Sequence, residues 1–186
     1  GLQLYNDMEL NDAIKMLDYS LKYPDYNKTL KVKALYWRGE IKYKLGAYQD
    51  AISDYTTFLT TPGSYGTTEF ANAHYNIAYA YFNQKDYTNA NQWFRKYLSV
   101  APSTPNAITA DTYNRIGDCY FVEREFDLAL QNYNSAIKNG LSLPDYAQFQ
   151  KGITLGVMKK PEQKISALNE LITNYPSSSM LTTHYL

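Results

Sequence analysis

Two histidines, one cysteine and eighteen carboxylates are among the side chains of this 186-residue sequence that could move protons, attack a carbonyl or hold a metal. Each chemistry needs partners at a set spacing. His74 and His184 have no serine, cysteine or carboxylate near them at the spacing of a nucleophile-base pair or a catalytic triad. Cys119 stands alone, which excludes an intrachain disulfide and a multi-cysteine zinc site, and a helical context makes it a buried packing residue. HExxH, GxGxxG, the Walker loop, the nucleophile elbow and the EF-hand loop are all absent. Glu123-Arg124-Glu125 reads as a turn, and Arg115 with Asp118 as an i, i+3 pair on a solvated helix face, worth a few tenths of a kcal/mol at most. The expectation is a chain with no catalytic residues, no cofactor and no metal.

The charges narrow the partners. Eighteen basic and eighteen acidic side chains cancel, so no global field draws the chain to nucleic acid or anionic lipid. No apolar run approaches the ~20 residues of a membrane span. Tyrosine outnumbers phenylalanine twenty to seven, a bias toward rings with a polar tip that suits half-buried positions and recognition surfaces. Gly1-Leu2-Gln3-Leu4-Tyr5 lacks an initiator methionine, and the sequence is expected to be a processed or trimmed piece of a longer protein.

The elements that would carry such a surface are marked by a recurring phrase. Gly39-x8-Tyr48-x2-Ala51-x3-Tyr55 returns as Ala78-x8-Tyr87-x2-Ala90-x3-Phe94 and Gly117-x8-Phe126-x2-Ala129-x3-Tyr133. A worn fourth copy runs Gly152-x8-Pro161-x2-Lys164-x3-Leu168, and the period is 35 to 39 residues. Repeats of this length mean stacked supersecondary units rather than one closed core. Between the marked residues the apolar spacing is helical, with Leu35, Arg38, Gly39, Lys42 and Leu45 on one face and Tyr48, Ala51, Ile52, Tyr55 and Leu59 on the next. Breaks at Leu45-Gly46-Ala47, Asn83 to Asp86, Arg124-Glu125 and Lys159-Lys160 are short enough to force antiparallel helix pairs.

Punctuation between pairs falls at Thr60 to Gly66, Ala101 to Pro105 and Asn139-Gly140. Thr104 before Pro105 reads as an N-cap and first helical residue, Ser142 to Pro144 opens a helix, and Pro161 suits a first turn. The expected organisation is one array over residues 1–186. It has a partial repeat at 7–24, repeats at about 32–62, 71–102, 110–140 and 145–176, and the start of a further first helix at 178–186 opened by Pro176 to Ser179.

Over roughly residues 30 to 176 this pattern resembles the tetratricopeptide repeat, with small residues at positions 8 and 20 and aromatics near 11, 17 and 24. The resemblance implies an all-α, right-handed α-solenoid of antiparallel helix pairs. The long inter-repeat segments, the close Tyr175-Pro176-Ser177-Ser178-Ser179 and the stretch Arg115 to Phe121 are similar to bacterial cell-envelope arrays, which implies a periplasmic or envelope location; the cytoplasm is the alternative. In the family the first helices line a groove for a peptide or a helix. Carried onto this sequence, the groove positions are Lys33, Tyr36, Trp37, Glu40, Tyr43 and Lys44. The next repeat supplies Asn72, Tyr75, Asn76, Tyr79, Phe82 and Asn83, and the third supplies Asp111, Asn114, Arg115, Asp118, Phe121 and Val122. Glu40 and Asp111 stand where chaperone-binding members hold a peptide carboxylate, which disfavours that ligand on Coulomb grounds. The implied function is a protein-interaction scaffold. The alternative is a glycan or small-ligand receptor using Tyr and Trp platforms, and self-association through the cut repeat ends is a further expectation.

Overall fold

The structure, a computed structural model, describes residues 9–23 and 28–182. Among these, all regular structure is helical: α1 (Leu10–Lys22), α2 (Lys28–Lys44), α3 (Tyr48–Thr60), α4 (Thr68–Asn83), α5 (Tyr87–Val100), α6 (Ala107–Val122), α7 (Phe126–Asn139), α8 (Pro144–Val157) and α9 (Pro161–Asn174), then a 3-10 turn at Ser179–Leu181. The chain divides into two compact units, residues 1–100 and 101–186. The first holds α1 to α5 and the second α6 to α9.

Every hairpin closes through the same backbone device. At Gly46, Lys85, Arg124 and Lys159 the chain turns left-handed, with φ of 77°, 61°, 64° and 58°. The N–H of that residue returns to the carbonyl three residues back, and the next N–H to the carbonyl five back, as in Gly46 to Tyr43 (3.0 Å) and Ala47 to Lys42 (2.9 Å). This Schellman pattern satisfies carbonyls left over at the helix end and reverses the chain in three residues. Glycine takes the conformation without steric cost, whereas the three long cationic side chains take it under strain.

The unit 1 core runs through Val32, Leu35, Tyr36, Ala51, Ile52, Tyr55, Phe58, Ala73, Ile77 and Ala80, and α1 adds Ala13 and Leu17 against Ala34 and Ile41. In unit 2, Ala129, Tyr133, Ala136 and Ala147 form the equivalent cluster. The small residues at position 8 explain how the two helices of a pair approach. A Cβ on Gly39 would stand 2.8 Å from Tyr55 Cε1, one on Gly117 2.6 Å from Tyr133 Cε1, and one on Gly152 2.7 Å from Leu168 Cδ2.

The structure corrects several expectations from sequence. Helices α2, α4 and α6 start at Lys28, Thr68 and Ala107, ahead of the expected repeat starts, because the inter-repeat segments contribute their last residues to the first turns. Asn106, not Thr104, caps α6: its side chain accepts from the Thr109 N–H at 2.9 Å. The expected first helix at 178–186 is a single 3-10 turn as far as residue 182; residues 183–186, like 7, 8 and 24 of the partial repeat, lie outside the described residues. Pro144 and Pro161 both stand in first turns, as the sequence implies.

The carboxylates also depart from the solvated-face reading. Asp54 is 4% exposed. It accepts from Arg38 Nε at 2.8 Å and Nη2 at 2.5 Å and pairs with Lys42 Nζ at 2.7 Å, while Arg38 Nη1 reaches Asp18 on α1 at 2.6 Å. One guanidinium thus ties α1, α2 and α3 together.

Candidate functional site

The first-helix face of unit 1 is built from α2 and α4. Lys33 and Lys44 are exposed, and Trp37, Tyr43, Asn72, Tyr75, Tyr79 and Phe82 are half-buried. The rings form a connected row: Tyr75 and Tyr79 lie 4.9 Å apart, Tyr79 and Phe82 6.1 Å, and Tyr79 rests on Phe94 at 5.3 Å. Spacing i, i+4, i+7 places these three on one face, and α5 beneath them sets their tilt. At the far end of the face Asn83 donates to the Tyr43 hydroxyl at 2.8 Å.

Glu40 is placed differently. Its carboxylate accepts from the Tyr55 hydroxyl at 2.7 Å and from the Asn76 amide, which also donates to the Tyr36 hydroxyl at 3.3 Å. Burial holds its carboxyl above the ordinary range; the tyrosine donors and the Lys44 charge oppose this without cancelling it. Tyr36, 6% exposed, packs edge-on to Trp37 and against Tyr55 and Phe58, so its ring belongs to the core rather than to a ligand-facing surface.

Unit 2 repeats this arrangement on α6. Asp118 accepts from the Tyr133 and Tyr146 hydroxyls, both at 2.9 Å, and its other oxygen pairs with Arg115 Nη1 at 2.7 Å. Arg115 reaches Asp111 at 3.6 Å and lies over the Tyr146 ring at 5.0 Å. Burial raises the Asp118 carboxyl despite the guanidinium, and burial together with that carboxylate pushes the Tyr146 hydroxyl up to about 12. Asn114 is fully buried, and its amide donates to the Ser142 and Leu143 carbonyls at 3.3 and 3.5 Å. This removes Asn114 from the ligand-facing set, because its position in the family register coincides here with the turn that opens α8. Phe121 is half-buried beside Phe126, and Val122 is exposed.

The residues that reading by position overlooks are the hydroxyl donors Tyr55 and Tyr133, with Tyr146 and Gln150 behind them. A signal was present. Glu40 and Asp118 each follow the position-8 glycine, and a tyrosine comes fifteen residues later. The second and fourth repeats place Tyr79 with Phe94 and Ile153 with Leu168 at these two positions, and neither pair includes a carboxylate.

His74 Nδ1–H donates to the Phe70 carbonyl at 2.8 Å, with burial holding its pKa below the usual imidazole value. It is one ring in a cluster with Phe70 and Trp93. Cys119 is fully buried, and burial pushes its thiol up to about 12, so the reactive thiolate is suppressed. Among the described residues no cluster of His, Cys, Asp or Glu could hold a metal, and no helix is long and apolar enough to cross a membrane.

Stacked antiparallel helix pairs with small residues at the crossing points and aromatic first-helix faces define a helical-repeat scaffold for protein-protein interaction. Tetratricopeptide-repeat models match residues 69–140 and, in a second model, residues 33–64 and 146–178, together more than half of the chain. The chain belongs to the tetratricopeptide-repeat family. Among solved structures it is similar to MamA from Desulfovibrio magneticus RS-1, residue 41 to the end, at 14% identity and TM-score 0.74 over 96% of this chain and 92% of that one. YrrB shares 16% identity at TM-score 0.73, covering 97% of this chain and 85% of that one. The apo form of RapI shares 15% at TM-score 0.81, covering 96% and 52%. Likeness at these identities concerns the fold. No curated protein sequence matches this chain.

Proposed function

We propose that the chain is a non-catalytic scaffold that receives an extended or helical segment of a partner protein on its first-helix faces. The observation that carries this is the half-buried aromatic row of unit 1, Trp37, Tyr75, Tyr79 and Phe82, flanked by exposed Lys33 and Lys44. Tyr and Trp offer large contact area with little rotamer entropy to lose, which is why they dominate recognition surfaces. Asn72, Tyr43 and Asn83 add polar partners along the same face, and Asp111 and Arg115 do so in unit 2. One structurally similar protein, YrrB, is described as having an unusual peptide-binding site, which fits this use of the fold.

A partner held in the micromolar range corresponds to about 8 kcal/mol of binding free energy. The test is affinity capture with the intact chain, followed by titration of the captured partner against Tyr79→Ala. Binding should weaken while the circular dichroism spectrum and melting temperature stay close to wild type. Loss of fold in that variant would assign Tyr79 to the core and remove the face from consideration. We place the chain in the bacterial cell envelope on the likeness of its repeat closures to envelope arrays, and fractionation of cells expressing the full-length protein tests this.

A further inference from the structure

Among the described residues two carboxylates are half-buried at the seam between consecutive repeats, and the same three-helix geometry surrounds each. At Glu40 the acid comes from the first helix of a repeat (α2), a hydroxyl from that repeat's second helix (Tyr55, α3), and an amide from the first helix of the next repeat (Asn76, α4). At Asp118 the acid comes from α6, one hydroxyl from α7 (Tyr133) and another from α8 (Tyr146), which is itself held by Gln150 Nε2 at 2.9 Å. Each carboxyl is therefore the point at which two repeats of one unit are joined by polar contacts.

Titratable groups face each acid from its own helix and from the helices packed against it. Around Glu40 these are Lys44 on α2, the Tyr36, Tyr43 and Tyr55 hydroxyls, and Glu69 on α4, which acts on Tyr36. Around Asp118 they are Arg115, Asp111 and the Cys119 thiol on α6, with Tyr133 on α7 and Tyr146 on α8. Among the described residues Lys44 is the cation that bears on Glu40, whose carboxylate is held by hydroxyl and amide donors. The single guanidinium next to Asp118 is shared with Asp111. Taking a charge out of water is costly unless it is fully paired, and hydroxyl and amide donors compensate only in part.

We infer that these two seams are proton-coupled: Glu40 and Asp118 take up protons as the pH falls, and the repeats they join are held more tightly in the protonated form. At Glu40 protonation leaves the geometry intact, since the oxygen that accepts from Tyr55 and Asn76 keeps both contacts while the other oxygen carries the proton; at Asp118 the oxygen that accepts from Tyr133 and Tyr146 keeps both, and a proton on the other loosens its pair with Arg115. The sign follows from linkage. A group whose folded pKa lies above its unfolded value adds most stability below the unfolded pKa, and that stability is lost as the pH rises through the folded one. The second and fourth repeats lack such an acid at the matching positions, so the coupling belongs to α2–α4 and α6–α8. Proton-dependent tightening would make the spacing of the first helices, and so the recognition face, respond to acidity.

The test uses the intact chain. Carboxyl 13C shifts of Glu40 and Asp118, followed against pH, should give midpoints above the ordinary ~4.3 and ~3.9. Each unit of elevation means about a tenfold gain in the folding equilibrium constant on passing from neutral to acidic pH. Thermal unfolding of Glu40→Gln and Asp118→Asn should show a smaller dependence on pH between neutral and acidic conditions than wild type. Midpoints at or below the ordinary values would overturn the inference, even if the variants melt differently. Elevated midpoints sustain it even where an amide fits its site poorly and lowers stability at every pH.

Discussion

Replacing Gly117 by alanine sets two effects of known size against each other. In a helix interior the change should stabilise by up to about 1 kcal/mol, because glycine pays the larger backbone entropy. The new Cβ, however, would stand 2.6 Å from Tyr133 Cε1 and 2.8 Å from Cδ1, where ordinary contact begins at 3.4 Å. The ring would have to retreat by about 0.8 Å, and it cannot do so freely: Tyr133 is fully buried and its hydroxyl is bonded to Asp118 at 2.9 Å. Overpacking costs ~1–3 kcal/mol, and loosening a hydrogen bond to a charged acceptor costs ~1.5–3 more. The clash therefore wins, and the net loss is at least about 1.5 kcal/mol, or some 3–6 °C or more in melting temperature for a chain of this length. Thermal unfolding followed by circular dichroism measures it. Gly156→Ala is the control, since its Cβ would meet only the flexible Lys164 Cδ at 3.1 Å, and that variant should be as stable as wild type or more so. Adding Tyr133→Phe to Gly117→Ala should return part of the loss, because the second repeat already pairs alanine at position 8 (Ala78) with an untethered Phe94. A Gly117→Ala protein that melts at or above the wild-type temperature would refute the reasoning.

Asp54→Ala leaves Arg38 and Lys42 without their shared, buried carboxylate. Both cations are about one-fifth exposed, so water recovers part of the loss and a cost of about 2–3 kcal/mol is expected in urea unfolding. Lys85→Gly and Arg124→Gly relieve left-handed backbone at residues with φ of 61° and 64°, and each should raise stability by up to about 1 kcal/mol. Gly46→Ala should lower it by a similar amount, since the same turn has φ of 77° there. Cys119 should resist a disulfide reagent in the native chain and react promptly in denaturant; full labelling under native conditions would contradict its burial. Ala90→Leu, at a fully buried crossing point, should cost ~1–3 kcal/mol by overpacking.

What the sequence by itself determined is the repeat: its period, its helix pairs, the short turns that reverse the chain, and the crossing points at Gly39, Ala78 and Gly117. These follow from local rules, because helical spacing and turn chemistry are written within a few residues of where they act. Helix starts were legible only approximately. Asn106 and the residues before Lys33 compete as caps and first turns within segments that offer several equivalent signals. Most of the first-helix surface was also placed by register alone, including Trp37, Tyr75 and Tyr79.

Only the tertiary structure decided which polar residues of that register turn inward. Helical periodicity shows that Glu40, Asn114 and Asp118 share a face with the aromatics, but an inward polar side chain is tolerable only where a partner meets it. Those partners come from elsewhere in the chain: Tyr55 and Asn76 for Glu40, Tyr133 and Tyr146 for Asp118, and the Ser142 and Leu143 carbonyls for Asn114. Asp54, which no motif in the sequence marks, is buried because Arg38 and Lys42 close over it. A single helix carries no record of what the next one will offer, so the fate of a buried charge is settled only when the helices pack.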